Sequence, residues 1–224
     1  DEAHCLSKWG HDFRTDYLYV SRFIRERYSD PLPPVACFTA TAKPDVIEDL
    51  SEHFRSELGI ELTQFAGGHA RLNLDYEVVS VTKAEKPAHI LELLKVELGS
   101  IGGGAVVFAA TRKNAETLSQ IIAAAGWACA HFHAGLEPGS KREIQQNFIS
   151  GALRVIVATN AFGMGVDKSD VRVVIHSDIP SSLENYLQEA GRAGRDGDPA
   201  RCVLLFDEED VERQFGLSSR SRLT

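Results

Sequence analysis

Four cysteines in 224 residues, Cys5, Cys37, Cys129 and Cys202, are too few and too scattered to staple a fold. They form no CxxC pair, which excludes the zinc modules and disulfide frameworks that such spacing marks and points to a reducing compartment. No stretch approaches the roughly 18 consecutive apolar residues of a membrane helix, so no span is expected. The first ten residues lack the basic start, apolar centre and small-residue cleavage site of a secretory signal. Positive charge is in short supply as well. A net charge of −8 and a pI near 5.5 argue against binding nucleic acid through a general surface field, and leave that role to a local groove. The G-x-x-x-x-G-K-[ST] phosphate loop is missing, and the glycine-rich residues 101–105 are no substitute, having neither the lysine nor the hydroxyl and preceding a strand rather than following one. No internal repeat or low-complexity segment occurs.

What is present reads as an ordinary globular chain, 43% hydrophobic and 25% charged, long enough for one domain of about 200 residues or two smaller ones. Short apolar runs at residues 35–38, 78–81, 105–109, 155–158, 173–175 and 202–206 alternate with helical patterns, which predicts an α/β protein with a parallel sheet. The clearest unit starts with the strand after Gly104. Thr111 then caps a helix with Ala115, Leu118 and Ile122 on its buried face, and Gly126 stops it. A second helix is expected over residues 138–150, burying Ile144 and Phe148 and ending at Gly151. Periodicity lapses over residues 64–75. The expected organisation is residues 1–66 as the rear of one domain, a linker over 67–77, a second domain over 78–210 and a charged tail over 211–224.

The motifs carry the chemistry. Asp1, Glu2, Ala3 and His4 form a DEAH box, in which one carboxylate can hold magnesium through water while its neighbour orients or deprotonates an attacking water. Trp9 and Phe13 offer flat faces for unpaired bases, and Arg14 a phosphate or stacking contact. Thr39, Ala40 and Thr41 follow an expected strand and could exchange hydroxyl hydrogen bonds. Thr111, Arg112 and Asn114 sit where free helix-start amides favour anions. His133 ends another strand. Thr159 and Asn160 precede Gly163 and Gly165, glycines that permit close ligand approach, and Asp167 follows. Residues 188–197, QEAGRAGRDG, set Gln188, Gly191 and Gly194 around Arg192 and Arg195. Three residues apart, the two arginines could be aimed together by one helical turn, and each is a permanent fork of donors suited to phosphate.

Residues 1–17, 105–116, 131–136, 157–180 and 188–197 together resemble the RecQ family of superfamily 2 ATP-dependent DNA helicases, over nearly the whole of residues 1–210. The resemblance implies RecA-like parallel sheets flanked by helices, one domain cut short and one complete. It further implies ATP and Mg2+ as cofactors, with Asp1 the metal partner and Glu2, His4, Gln188, Arg192 and Arg195 in catalysis. Arg195 would be the arginine finger, and Asp1, Gly165, Asp167, Arg192 and Arg195 would contact nucleotide. Trp9, Phe13, Arg14, Thr111, Arg112, Asn114, His133, Thr159 and Asn160 would contact nucleic acid. Partners would be single-stranded and branched DNA and no membrane, with a monomer favoured. The location would be cytoplasmic, with the nucleoid in a bacterium or the nucleus in a eukaryote, and the work DNA repair and recombination with 3'–5' polarity. The sequence departs from the family at two points: no downstream cysteine module appears, so no zinc is expected, and without the phosphate loop these residues alone should hydrolyse ATP negligibly. A noncatalytic nucleic-acid clamp or annealing module and a DEAH-type RNA helicase are the alternatives.

Overall fold

A computed structural model describes residues 2–7, 14–28, 31–39, 43–65, 71–99, 102–162 and 167–210. The chain divides into two compact units, Asp1–His69 and Ala70–Thr224.

In the first unit, two 3-10 turns, Ala3–Leu6 and Thr15–Tyr17, precede helix α1, Leu18–Arg27, and helix α2, Pro44–Leu58. Proline suits the first position of α2 because its missing N–H has no partner to lose there. Val46, Leu50 and Phe54, four apart, then bury one stripe of α2 against Ala3 and Leu6. Ser21 of α1 and His53 of α2 share a hydrogen bond of 2.7 Å. The expected strand at 35–38 is not a strand: none is formed among the described residues of this unit. Val35 and Cys37 still pack on the core while Ala36 and Phe38 are exposed, the alternation of an extended chain. A strand needs a ladder, however, and here the Ala3 amide donating to the Phe38 carbonyl at 2.9 Å makes only a first rung.

The second unit is a six-stranded sheet in the order β1-β6-β5-β2-β4-β3, parallel throughout. Its strands are β1 (Leu74–Ser80), β2 (Gly104–Phe108), β3 (Cys129–Phe132), β4 (Val155–Ala158), β5 (Val171–His176) and β6 (Ala200–Phe206). Strands covered on both faces favour apolar residues at successive positions; β2 and β4 are apolar and buried from end to end, and β5 is buried throughout with its two polar residues, Arg172 and His176, paired to Asp196 and Glu189. Alternate residues feed two cores. Ala105, Val107, Val155, Val157 and Ile175 meet helices α3 (Lys86–Leu98) and α4 (Arg112–Ala124), whereas Val106, Phe108, Ile156 and Val174 meet α5 (Pro138–Ile149) and α6 (Leu183–Ala190). This is the expected parallel sheet with helices on both sides.

Two details differ from the sequence reading. β1 begins at Leu74, ahead of the apolar run at 78–81, because pairing with β6 from Leu74 opposite Ala200 extends an edge strand through polar Asp75 and Glu77. Arg201 on β6 pairs with Glu77 and reaches Glu97 at 2.8 Å, which fixes that polar register. Helix α3, which no motif marked, buries Ile90, Leu94 and Leu98 at spacings of four. The tail at 211–224 lies outside the described residues.

Candidate functional site

The segment after α6 concentrates charge on a constrained turn. Ser182 caps α6 by accepting from the Asn185 amide, and the helix stops at Ala190. Arg192 and Arg195 therefore lie beyond the helix, and the expectation that one helical turn carries both is corrected. At Gly194 φ is +53°, which breaks the helical path. A Cβ there would stand 2.5 Å from Asn73 Nδ2 and 2.7 Å from the Asp198 carbonyl oxygen, so only glycine fits. The two arginines consequently differ in setting. Arg192 is 8% exposed, and burial first, then the charge of Arg195, pull its guanidinium below its ordinary value, with Glu189 opposing. Arg195 stays exposed and its Nη1 meets Asp167 Oδ1 at 3.0 Å. Gln188 is exposed on α6.

Arg71 and Asn73 hold this turn from 120 residues away. Arg71 Nη2 donates to the carbonyls of Ala193 at 2.7 Å and Gly194 at 2.6 Å, and its Nη1 to Gly191 at 3.4 Å. Asn73 Nδ2 donates to Gly194 and Asp198, both at 2.8 Å. The Gly194 amide donates back to Val171 on β5, and Asp196 pairs with Arg172, whose guanidinium holds that carboxyl below the usual range. Sequence reading missed both clamp residues, because they fall in the stretch taken as a linker. The signal was available as two polar residues just ahead of a strand.

The C-terminal ends of the parallel strands, where open α/β sheets bind ligands, collect the other predicted residues. After β2, the Thr111 hydroxyl accepts from the Asn114 amide at 3.1 Å, and Arg112 opens α4. After β3, His133 is 5% exposed and its Nε2 meets Glu116 Oε1 at 3.0 Å. After β4, Thr159 is buried and its hydroxyl accepts from the Ala161 amide, which leaves Asn160 as the exposed member of that pair. After β5, Asp178 accepts from the Ala110 amide at 2.9 Å and ties the β2 and β5 ends together. Gly163 and Gly165 lie outside the described residues.

In the first unit, Glu2 takes the left-handed conformation (φ 52°), the one non-glycine residue to do so among those described. Such backbone costs about 1–3 kcal/mol and persists where its surroundings enforce it. Here the neighbours are His4, whose Nδ1 lies 3.4 Å from Glu2 Oε2, and Thr39, whose hydroxyl shares a 2.9 Å hydrogen bond with the same Nδ1. The DEAH box and the threonine motif thus meet through one buried imidazole. Arg14 is exposed and its amide donates to the Cys5 carbonyl. Asp1, Trp9, Phe13, Ala40 and Thr41 lie outside the described residues.

This geometry of a parallel sheet, loaded strand ends and an arginine-bearing turn has counterparts. The helicase conserved C-terminal domain model matches residues 85–197, from just ahead of α3 to the close of the arginine turn. The chain belongs to the helicase conserved C-terminal domain family. Among its relatives, RecQ-like DNA helicase blm-1 of Caenorhabditis elegans is 40% identical over 213 residues, 95% of this chain and 21% of that protein. ATP-dependent DNA helicase RecQ of Bacillus subtilis (strain 168) is 40% identical over 222 residues, 99% of this chain and 36% of that protein. The chain therefore spans about a third or less of these relatives. Among solved structures, E. coli DEAD-box protein SrmB bound to regulator of ribonuclease activity A aligns at a TM-score of 0.53 and 26% identity, covering 60% of this chain and 77% of that one.

The resemblance to RecQ helicases and the RecA-like fold are thus both supported by relatives. In this helicase domain the clamp residues Arg71 and Asn73, with strands β1 and β6, fall outside the matched span. No helix among the described residues is long and apolar enough to cross a membrane.

Proposed function

We propose that the chain supplies the hydrolysis box and the second motor lobe of a RecQ-type DNA helicase, which moves 3'–5' along single-stranded DNA at the expense of ATP. The observation that carries this reading is the turn at 191–198: a guanidinium left exposed on backbone that five side-chain hydrogen bonds immobilise. An arginine finger must be available yet preorganised, since electrostatic stabilisation works best when donors need no reorganisation. Arg195 meets both demands, with Asp167 steadying its fork until a phosphate replaces it. Buried Arg192 supports the turn and adds positive field.

Glu2 is the base that orients water. Asp1 is the partner, through water, of Mg2+, a hard cation suited to carboxylate and water oxygens that would offset phosphate charge when bound. His4, hydrogen-bonded to Thr39 and 3.4 Å from the Glu2 carboxylate, carries changes at the box to the threonine motif. Arg112 and Asn114 at the start of α4 and Asn160 after β4 are the DNA-backbone contacts, and single-stranded or branched DNA is the partner.

Single-turnover ATP hydrolysis tests this in a longer polypeptide that adds a phosphate-binding lobe ahead of Asp1. Arg195→Ala should slow the step by about 10³- to 10⁵-fold, while DNA affinity holds. An unchanged rate would refute the assignment. A second reading is a noncatalytic DNA clamp. It predicts no hydrolysis in the longer polypeptide with or without DNA.

A further inference from the structure

A cluster unrelated to the arginine turn sits at the opposite edge of the sheet. Strand residues two apart share a face, so Cys129 and His131 on β3 and His133 just beyond it form one row. Helix α4 packs on that row with Glu116 and Ser119, three apart and so neighbours on the helix surface. Ser119 meets the Cys129 thiol at 3.6 Å, and Glu116 Oε1 meets His133 Nε2 at 3.0 Å. The imidazoles of His131 and His133 stack with centroids 5.2 Å apart and planes within 14°. One ligand atom from each of Glu116, His131 and His133 lies within 4.8 Å of the other two.

We propose that Glu116, His131 and His133 form a binding site for a divalent transition-metal ion of the zinc class. Two imidazoles and one carboxylate make an N,N,O set of the kind zinc accepts with a fourth position left to water, and imidazole disfavours magnesium and calcium. Zinc bonds of about 2.0–2.1 Å need donor atoms somewhat over 3 Å apart. The Glu116–His133 pair is already that close, so closure requires only that the imidazole of His131 and the carboxylate of Glu116 swing inward. Glu116 is exposed and His131 half-buried, which lets an ion enter from solvent, while His133 is fixed in the interior.

The surroundings set limits on the site. Cys129 does not join it, because its thiol is engaged with the Ser119 hydroxyl at 3.6 Å and the Ala130 carbonyl and lies outside the group of ligand atoms that converge within 4.8 Å. Arg112 Nη1 and His133 Nδ1 lie 3.0 and 3.2 Å from the point where a Cβ on Gly135 would stand, so a permanent cation flanks the cluster. That charge weakens the ion's hold and makes the site exchangeable. Loading would tie the β3 edge to α4, the helix whose start carries Arg112 and Asn114.

The test uses the full 224-residue chain stripped by a chelator and titrated with Zn2+ in a calorimeter, with Co2+ absorption as a geometric probe. One ion should bind per chain, and Co2+ should give the visible bands of a tetrahedral N/O site without thiolate charge transfer. His131→Gln and Glu116→Gln should each weaken Zn2+ binding at least about 10-fold, the scale on which even outer-shell partners act. Cys129→Ser should change nothing. Circular dichroism establishes that each variant is folded, and the two ligand substitutions fall on different elements, so failure of one to fold leaves the other. The proposal is overturned if the chain binds no zinc, if thiolate bands appear, or if a folded ligand variant binds as tightly as the parent.

Discussion

Arg71→Ala removes the cation that gathers the carbonyls of Ala193, Gly194 and Gly191, and with it the main restraint on the turn bearing Arg195. The two contacts at 2.6 and 2.7 Å are charge-assisted, each worth about 1.5–3 kcal/mol. The third, at 3.4 Å, adds little. Arg71 is only half-buried, so water can reach the released carbonyls, and Asn73 keeps its bond to Gly194. The net expectation is about 2–3 kcal/mol of lost local stability. Native-state hydrogen exchange reads this directly at the Gly194 amide, bonded to Val171, and the Gly197 amide, bonded to Gly194. At about 1.4 kcal/mol per tenfold, both should exchange roughly 30- to 140-fold faster, while the core amide of Ala105 barely changes. Arg71→Lys should rescue only part, since a point charge cannot span three acceptors. Unchanged exchange at both glycines would mean that the turn is held by something else, and the case for a preorganised Arg195 would lose its support.

Phe148→Ala should cost about 3–5 kcal/mol in urea denaturation, because this fully buried ring packs edge-on against Phe162 and beneath Lys168; a loss under 1 kcal/mol would contradict that packing. Asp196, held below the usual aspartate range by Arg172, contributes stability that is present above the ordinary aspartate pKa and disappears as pH falls through its lowered one. Asp196→Asn should therefore lower the melting temperature near neutrality and flatten the acid limb of its pH profile, and a parallel profile would argue against the linkage. Arg112→Ala should weaken single-stranded DNA binding similarly for all sequences and reduce the salt slope by about 0.7, measured by fluorescence anisotropy; an unchanged slope would remove Arg112 from the phosphate contacts.

The sequence alone determined those features whose cause is local. Buried parallel strands must be apolar at successive positions, so the runs at 105–109, 155–158 and 173–175 are legible without a fold, as is the Thr111 cap. The motif residues could be named because their chemistry is written in adjacent letters. Tertiary structure decided the contacts that join distant segments. Only the fold shows that Arg71 and Asn73 reach Gly194, that His4 meets Thr39, that Glu116 faces one histidine on a neighbouring strand and another just past its end, or that Arg192 is buried while Arg195 stays exposed. The segment at 35–38 shows the same division: its apolar residues and alternation are in the letters, but strand formation waits on a hydrogen-bonding neighbour. Backbone propensity acts over a few residues, whereas burial and partner choice are set by whatever the folded chain brings alongside.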